Sequence, residues 1–319
     1  VPAERDPEVI ADAVLAGERR AIARAITILE DERPEAAALA ARLWPRAGRA
    51  EVIGITGPPG AGKSTLVGAL VRRWRAQGRT VGVVAVDPSS PFSHGAVLGD
   101  RVRVLEHDAD AGVFFRSMGS RGRLGGLGEG TALAAMVLDA AGFDVVLIET
   151  VGAGQSDVRI ADLADVVVLA LQPGSGDSVQ AIKAGVMEIP DVIAITKADL
   201  PGLDAFRSEL RLALGIDPER APLLVEVRSL EGAGVPELVE AIAARRAALG
   251  DEEVARRRAA GLERELVAGV ASRVAARAAE ALREDVAVRD GIARLHAREQ
   301  DPLAVARLLG ERIGGESGS

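Results

Sequence analysis

Eight residues, Gly57-Pro58-Pro59-Gly60-Ala61-Gly62-Lys63-Ser64, have the types and spacing of a phosphate cradle. Glycines let successive backbone N–H groups wrap an anion, and a helix opening at the lysine adds the positive end of its dipole. Lys63 is placed to reach the β- and γ-phosphates of a nucleoside triphosphate, and the Ser64 hydroxyl to ligate Mg²⁺. The pattern needs a strand before it and a helix after it. Val52–Thr56 reads as that strand, and Leu66, Val67, Leu70, Val71 and Trp74 line the buried side of the helix.

A second stretch carries acid chemistry. Val145–Glu149 is an apolar strand ending in a carboxylate, which can hold Mg²⁺ directly or through water. Gly152, three residues on, lets a backbone N–H approach the γ-phosphate, so the motif reads Glu-x-x-Gly where many regulatory GTPases have Asp-x-x-Gly. Ras-type enzymes place a water-orienting Gln next. Here Ala153 takes that place and Gln155 follows two residues later, so intrinsic hydrolysis is expected to be slow and partner-dependent. Two more acids are metal candidates or plain surface residues. Asp87 ends a strand expected to neighbour the phosphate-loop strand, and Asp100 stands in Leu98-Gly99-Asp100-Arg101.

Thr196-Lys197-Ala198-Asp199 ends a further strand, in the place of the Asn-Lys-x-Asp motif that reads guanine. A carboxylate at Asp199 accepts from guanine N1–H and its exocyclic amine. Adenine would leave that carboxylate unpaired, and such buried mismatches discriminate strongly. The Lys197 stem can lie along the base plane. Thr196 cannot supply the amide of Asn. Ser229-Leu230-Glu231 sits where GTPases place a loop over the base. GTP, rather than ATP, is the expected nucleotide.

The elements that must position these residues form an α/β pattern. Val52–Thr56, Val81–Val86, Val113–Arg116, Val145–Glu149, Val166–Leu171, Val192–Thr196 and Leu224–Val227 read as strands buried on both faces of a parallel sheet. Helical patterns fall between most of them, as a doubly wound P-loop NTPase fold requires. Residues 1–48 read as an N-terminal helical region, with Val9, Ile10, Val14, Ile22, Ile26 and Leu29 at helical spacing and a boundary at Trp44–Gly48. Residues 49–248 form the nucleotide domain. Residues 249–319 are helical, with a stripe at Leu262, Leu266, Val270 and Val274 and a Gly/Ser-rich tail. That stripe fits a helix packed on its own domain or an arm pairing with a second copy.

Composition narrows the classes. Net charge is −8 with no polybasic run, so no nucleic-acid partner is expected; Arg256-Arg257-Arg258 reads as a solvated helix face. There is no cysteine, hence no disulfide or thiolate metal site. No apolar run reaches the ~18 residues that span a membrane. Val1 to Arg19 is acidic and polar, unlike a signal peptide. The expected location is cytoplasmic, or the mitochondrial matrix for a eukaryotic chain without its transit peptide. Of 39 basic residues only Lys63, Lys183 and Lys197 are lysine, and Asn and Tyr are absent.

Jointly, Gly54–Thr65, Asp87-Pro88-Ser89-Ser90-Pro91-Phe92, Leu98–Arg101, Arg116-Ser117-Met118, Arg121–Leu127, Glu149–Ser156 and Gly176–Gly185 resemble the MeaB/ArgK/MMAA-type GTPases, chaperones of methylmalonyl-CoA mutase. The resemblance runs from the N-terminal helices to about residue 310. It implies a SIMIBI-type fold, GTP/GDP and Mg²⁺ binding, and a homodimer formed through C-terminal helices. It also implies a partner, an adenosylcobalamin-dependent acyl-CoA mutase, whose cofactor loading the GTPase gates and which it protects. Asp87, Asp100 and Glu149 match the acids around Mg²⁺. Residues 172–188 match a switch segment in which Lys183 relays the mutase signal. Arg123, His94 and Thr196 depart from the family pattern. Two rival readings remain. A nickel metallochaperone GTPase would want a Cys/His cluster, and this chain has only three scattered histidines. An ATP-dependent kinase of an amino-acid transport system would want a base beside an acceptor hydroxyl.

Overall fold

The computed structural model describes residues 6–87, 110–119, 129–150, 156–174, 190–214 and 221–314. Seven strands form one parallel sheet in the order β3-β2-β4-β1-β5-β6-β7. They are β1 (Glu51–Thr56), β2 (Val81–Asp87), β3 (Val113–Gly119), β4 (Val145–Thr150), β5 (Val166–Leu171), β6 (Val192–Thr196) and β7 (Leu223–Val227). Each coincides with a strand read from the sequence, most of them runs of Val, Ile and Leu; β3 is instead Val-Phe-Phe-Arg-Ser-Met-Gly, and β7, at the sheet edge, is only partly buried, which corrects the expectation of burial on both faces there. The apolar runs lack polar alternation because helices cover both faces of the sheet.

The expected pairing of β2 with the phosphate-loop strand is corrected. β4 lies between them, pairing Glu51↔Val145 on one side and Val81↔Val145 on the other. The crossover from β1 to β2 leaves room for one strand, and β4 fills it. Glu149, not Asp87, therefore ends beside the phosphate-loop strand.

The helices are α1 (Pro7–Leu15), α2 (Arg19–Glu30), α3 (Ala36–Leu43), α4 (Lys63–Ala76), α5 (Glu129–Ala140), α6 (Ser156–Leu163), α7 (Leu203–Leu214), α8 (Val235–Glu284), α9 (Val286–His296) and α10 (Pro302–Gly314). Asp6 starts α1 by accepting from Glu8 N–H at 2.9 Å. Ile10, Val14, Ile22, Ile26 and Leu29 share one core with Val52, Val146 and Ile148 of the sheet. Residue 48 is therefore not a break in the packing. Val9 is half exposed, unlike its helical neighbours. The other face of the sheet buries Ile53, Ile55, Val145 and Leu147 against Leu66, Leu70 and Trp74 of α4 and Leu238 and Ile242 of α8.

The chain divides into two compact units between Arg264 and Glu265. Composition changes at 249, but the packing of the first unit runs further, because the first residues of that stretch are pinned to the sheet. Arg258 grips Asp165 through Nε and Nη2, both at 2.6 Å, and also donates to the carbonyls of Gly48 and Ala50. Arg257 reaches Asp191 at 3.1 Å. The solvated-face reading is thus corrected: only Arg256 fits it, paired with Glu253. α8 itself is two helical segments joined at Gly250, whose φ of 71° is left-handed. In the second unit, Asp285 caps α9 through Val288 N–H, and Gly291 meets Val305 and Leu308 of α10.

Candidate nucleotide site

The phosphate loop joins β1 to α4 through three glycines with positive φ, Gly57, Gly60 and Gly62. Gly57 shows why no side chain is tolerated: a Cβ there would lie 2.2 Å from the Ala170 carbonyl oxygen of β5. Gly62 is the residue before α4, so Lys63 opens the helix and its free N–H groups face the loop. Lys63 is buried, and its ammonium donates to the carbonyls of Gly57 at 2.5 Å and Pro58 at 3.0 Å. A buried cation on a loop of carbonyls, at a helix N-terminus, is an anion receptor by its chemistry.

Ser64 and Glu149 meet here. The register sets Ile55 beside Glu149, at the same end of the sheet as the loop. The Ser64 hydroxyl donates to Glu149 Oε1 at 2.6 Å. A hydroxyl and a buried carboxylate beside a phosphate cradle are the hard oxygen donors that Mg²⁺ prefers. Among the described residues no cluster of three or more His, Cys, Asp or Glu side chains is placed for a metal. Asp87 ends β2, and only its backbone is described. Asp100, Gly152 and Lys183 lie outside the described residues, as do His94, Arg123 and Ala153.

Thr196 has a task that the sequence did not reveal. Its buried hydroxyl lies 2.6 Å from the Ala61 carbonyl of the phosphate loop and 2.9 Å from the Leu171 carbonyl at the end of β5. One short side chain thus ties three elements, without needing an amide. Lys197 adopts φ 51°, and its ammonium donates to Gly60 O at 3.0 Å, so its stem crosses the loop. Asp199 is exposed next to it. After β7, Arg228 and Ala233 close a turn by a 2.9 Å backbone bond. That turn presents Ser229, Leu230 and Glu231. Ser229 is buried, and its hydroxyl has no hydrogen-bond partner among the described residues; Leu230 is 86% exposed. An unsatisfied buried hydroxyl and a bare leucine on one turn suit a ligand with a polar edge and a flat face.

Sequence reading also missed a buried pair, Thr150 Oγ1 donating to Thr56 Oγ1 at 3.0 Å, which ties the ends of β4 and β1. The signal was a threonine closing each of two adjacent strands.

A family model described as methylmalonyl Co-A mutase-associated GTPase MeaB matches residues 22–283. The chain belongs to the MeaB family. A Pyrococcus horikoshii protein with a provisional GTPase name is 44% identical over 306 residues, 94% of this chain and 96% of that one. The Escherichia coli protein named GTPase ArgK is 36% identical over 237 residues, 71% of this chain and 72% of its own. A crystal structure described as an LAO/AO transport system kinase superposes with a TM-score of 0.71 at 27% identity, over 96% of this chain and 97% of that one. The MeaB-family chain is therefore a P-loop GTPase, binding and hydrolysing guanine nucleotide. Among the described residues no helix is long and apolar enough to cross a membrane.

Proposed function

We propose that this GTPase is the switch of a cobalamin-dependent system: it gates adenosylcobalamin loading of an acyl-CoA mutase of the methylmalonyl-CoA type, and protects that enzyme. The observation that carries the nucleotide chemistry is the 2.6 Å contact between Ser64 and Glu149 beside the phosphate loop. The family description carries the client class.

In this reading the loop from Gly57 to Thr65 cradles the phosphates, with backbone N–H groups from Gly60 onward donating to them, and Lys63 turns from its loop carbonyls to the β- and γ-phosphate oxygens. Ser64 and Glu149 hold Mg²⁺, with Asp87 and Asp100 completing the acids around it. The ion's contribution is to neutralise charge on the phosphates. Gly152 offers a backbone N–H to the γ-phosphate. Asp199 accepts from the guanine edge, the Lys197 stem and Leu230 flank its ring, and Ser229 and Glu231 belong to the same base loop. With Ala153 where Ras-type enzymes have Gln, basal hydrolysis is slow. Lys183, in the switch segment, relays the client's signal to the nucleotide.

A homodimer accompanies this reading. Leu262, Leu266, Val270 and Val274 are between 41% and 59% exposed, at four-residue spacing. A second copy laid along that stripe would cover it, and light scattering at two concentrations tests the state. The protein is expected in the cytoplasm, or in the matrix if mitochondrial.

The decisive experiment is GTP hydrolysis with and without a purified cobalamin-dependent acyl-CoA mutase, alongside co-elution of the two. Stimulation by the mutase supports the reading; no stimulation and no association refute it. The kinase description of the solved relative gives the second reading, an ATP-dependent phosphotransfer. Competition between GTP and ATP separates them, since a strong ATP preference would sink the first.

A further inference from the structure

The paired register between β1 and β4 ends at Ile55↔Glu149. One residue further, Thr56 pairs outward with Leu169 of β5, and Thr150 pairs outward with Val86 of β2. Between the two threonines a side-chain bond takes over from the backbone ladder: Thr150 Oγ1 donates to Thr56 Oγ1 at 3.0 Å. Both residues are 1% exposed, so water does not compete for the bond. Thr56 precedes Gly57, the first residue of the phosphate loop, and Thr150 follows Glu149. Side chains alternate along a strand, so the threonines lie on the face opposite Ile55 and Glu149. Glu149 meets Ser64 of α4 on one face, and the threonine bond closes the same corner from behind.

We propose that Thr56 and Thr150 are positioning residues for the Mg²⁺ site, setting its affinity by holding the Glu149 end of β4 against the strand that carries the phosphate loop. Ser64 takes its place from α4, which follows that loop, and Glu149 takes its place from β4. The two oxygen donors therefore stand on different elements. Their 2.6 Å approach depends on how closely β1 and β4 stay together at this end. Mg²⁺ demands near-ideal octahedral geometry and tolerates a displaced donor poorly. Residues behind a metal donor, touching no metal themselves, govern affinity by ~10–100-fold. Nucleotide binding without metal is a separate matter. Thr196 on Ala61 and Lys197 on Gly60 hold the loop from the β6 side, and neither bond passes through β4.

This inference rests on the reading that Ser64 and Glu149 hold Mg²⁺, and Glu149→Gln tests that premise alone. The full-length protein is loaded with GDP, stripped of metal and titrated with Mn²⁺, which takes the same kind of oxygen site and is read by electron paramagnetic resonance. Wild-type Mn²⁺ affinity in Glu149→Gln discards the metal site itself. With that affinity lost, the threonines are tested by Thr150→Val, Thr56→Val and the two together, since valine keeps the shape and removes the hydroxyl. Each single variant is expected to bind Mn²⁺ roughly tenfold more weakly, with GDP affinity in EDTA within about twofold of wild type. The double variant should lose no more than either single one, because all three break the same bond. Thr150→Ser keeps the hydroxyl and most of the affinity. Unchanged Mn²⁺ affinity in Thr150→Val overturns the proposal, as does a loss that GDP affinity shares, or losses that add in the double variant.

Discussion

Replacing Arg258 by Met should destabilise the protein more than any surface ion-pair argument allows, and a second substitution should partly undo the damage. Asp165 is fully buried, and accepts from Val52 N–H at 2.9 Å as well as twice from Arg258. Hydrogen bonding to Asp165 holds the Arg258 guanidinium above its ordinary value, against the opposing effect of its own burial. Arg258→Met retains much of the apolar stem but strands a buried carboxylate with one donor. Breaking such a pair costs ~3–5 kcal/mol. Against a total stability of ~5–15 kcal/mol this is a large fraction. The melting temperature should fall by the order of 10 °C. Adding Asp165→Asn removes the stranded charge while keeping an oxygen for Val52 N–H, so it should recover about half of the loss. Urea denaturation of the single and double variants measures both effects. A single-variant loss below ~1 kcal/mol, or a double variant less stable than the single, refutes the reasoning.

Three further outcomes are expected. Lys63→Arg should abolish binding of a fluorescent GTP analogue despite keeping the charge, because a planar guanidinium cannot occupy a site 2.5 Å from Gly57 O; affinity within about threefold of wild type would contradict this. Thr196→Val should weaken nucleotide binding by roughly tenfold, since losing a buried hydroxyl that ties Ala61 and Leu171 costs ~1–3 kcal/mol, whereas Thr196→Ser should keep it. Asp144→Asn should destabilise the protein at neutral pH only. The Thr80 N–H and hydroxyl, donating at 2.7 and 2.8 Å, hold the Asp144 carboxyl below its ordinary 3.8. A depressed carboxyl stabilises above its unfolded value and loses that contribution as pH falls through its folded value. The gap between wild type and variant in chemical denaturation should therefore close below about pH 3.8, and a gap that persists or widens there would be the wrong sign.

All seven strands were legible, most of them because a parallel sheet under helices leaves Val/Ile/Leu-rich runs, which short-range pattern records directly; β3 showed itself through Val113, Phe114 and Phe115 instead. Strand order was not legible. Nothing within Val81–Asp87 says that Val145–Thr150 will come between it and Glu51–Thr56, because that is decided by crossovers long in sequence. The same holds for the site. Gly57–Ser64 announces itself, since its chemistry depends on consecutive backbone groups. The Ser64–Glu149 contact could be inferred from motif logic alone, but the tie from Thr196 to Ala61 could not. Thr196 looks like a deficient Asn until its two carbonyl partners, 135 and 25 residues away, are in view. Arg257 and Arg258 misled for a related reason: beside Arg256 and several acids they match an exposed helix, and only the fold brings buried Asp191 and Asp165 under them.

The division of labour between the two cations follows from the same contrast. The ion pairs that pin elements together here, Arg258 on Asp165, Arg257 on Asp191, Arg264 on Asp162 and Arg75 on Asp110, all use guanidinium. A planar fork suits such positions, and Arg258 and Arg75 satisfy a carboxylate while also donating to backbone carbonyls. Lys63 and Lys197 do something else. Both aim a compact ammonium at carbonyls of one tight loop, at Gly57, Pro58 and Gly60. At Lys63 a guanidinium would need more room than Gly57, packed against the Ala170 carbonyl, leaves. The preference for arginine, with only three lysines among 39 basic residues, therefore costs nothing at the staples, and meets resistance where a loop must close around phosphate. That is a physical reason for lysine to persist at Lys63, where the ammonium is buried among the carbonyls of the loop.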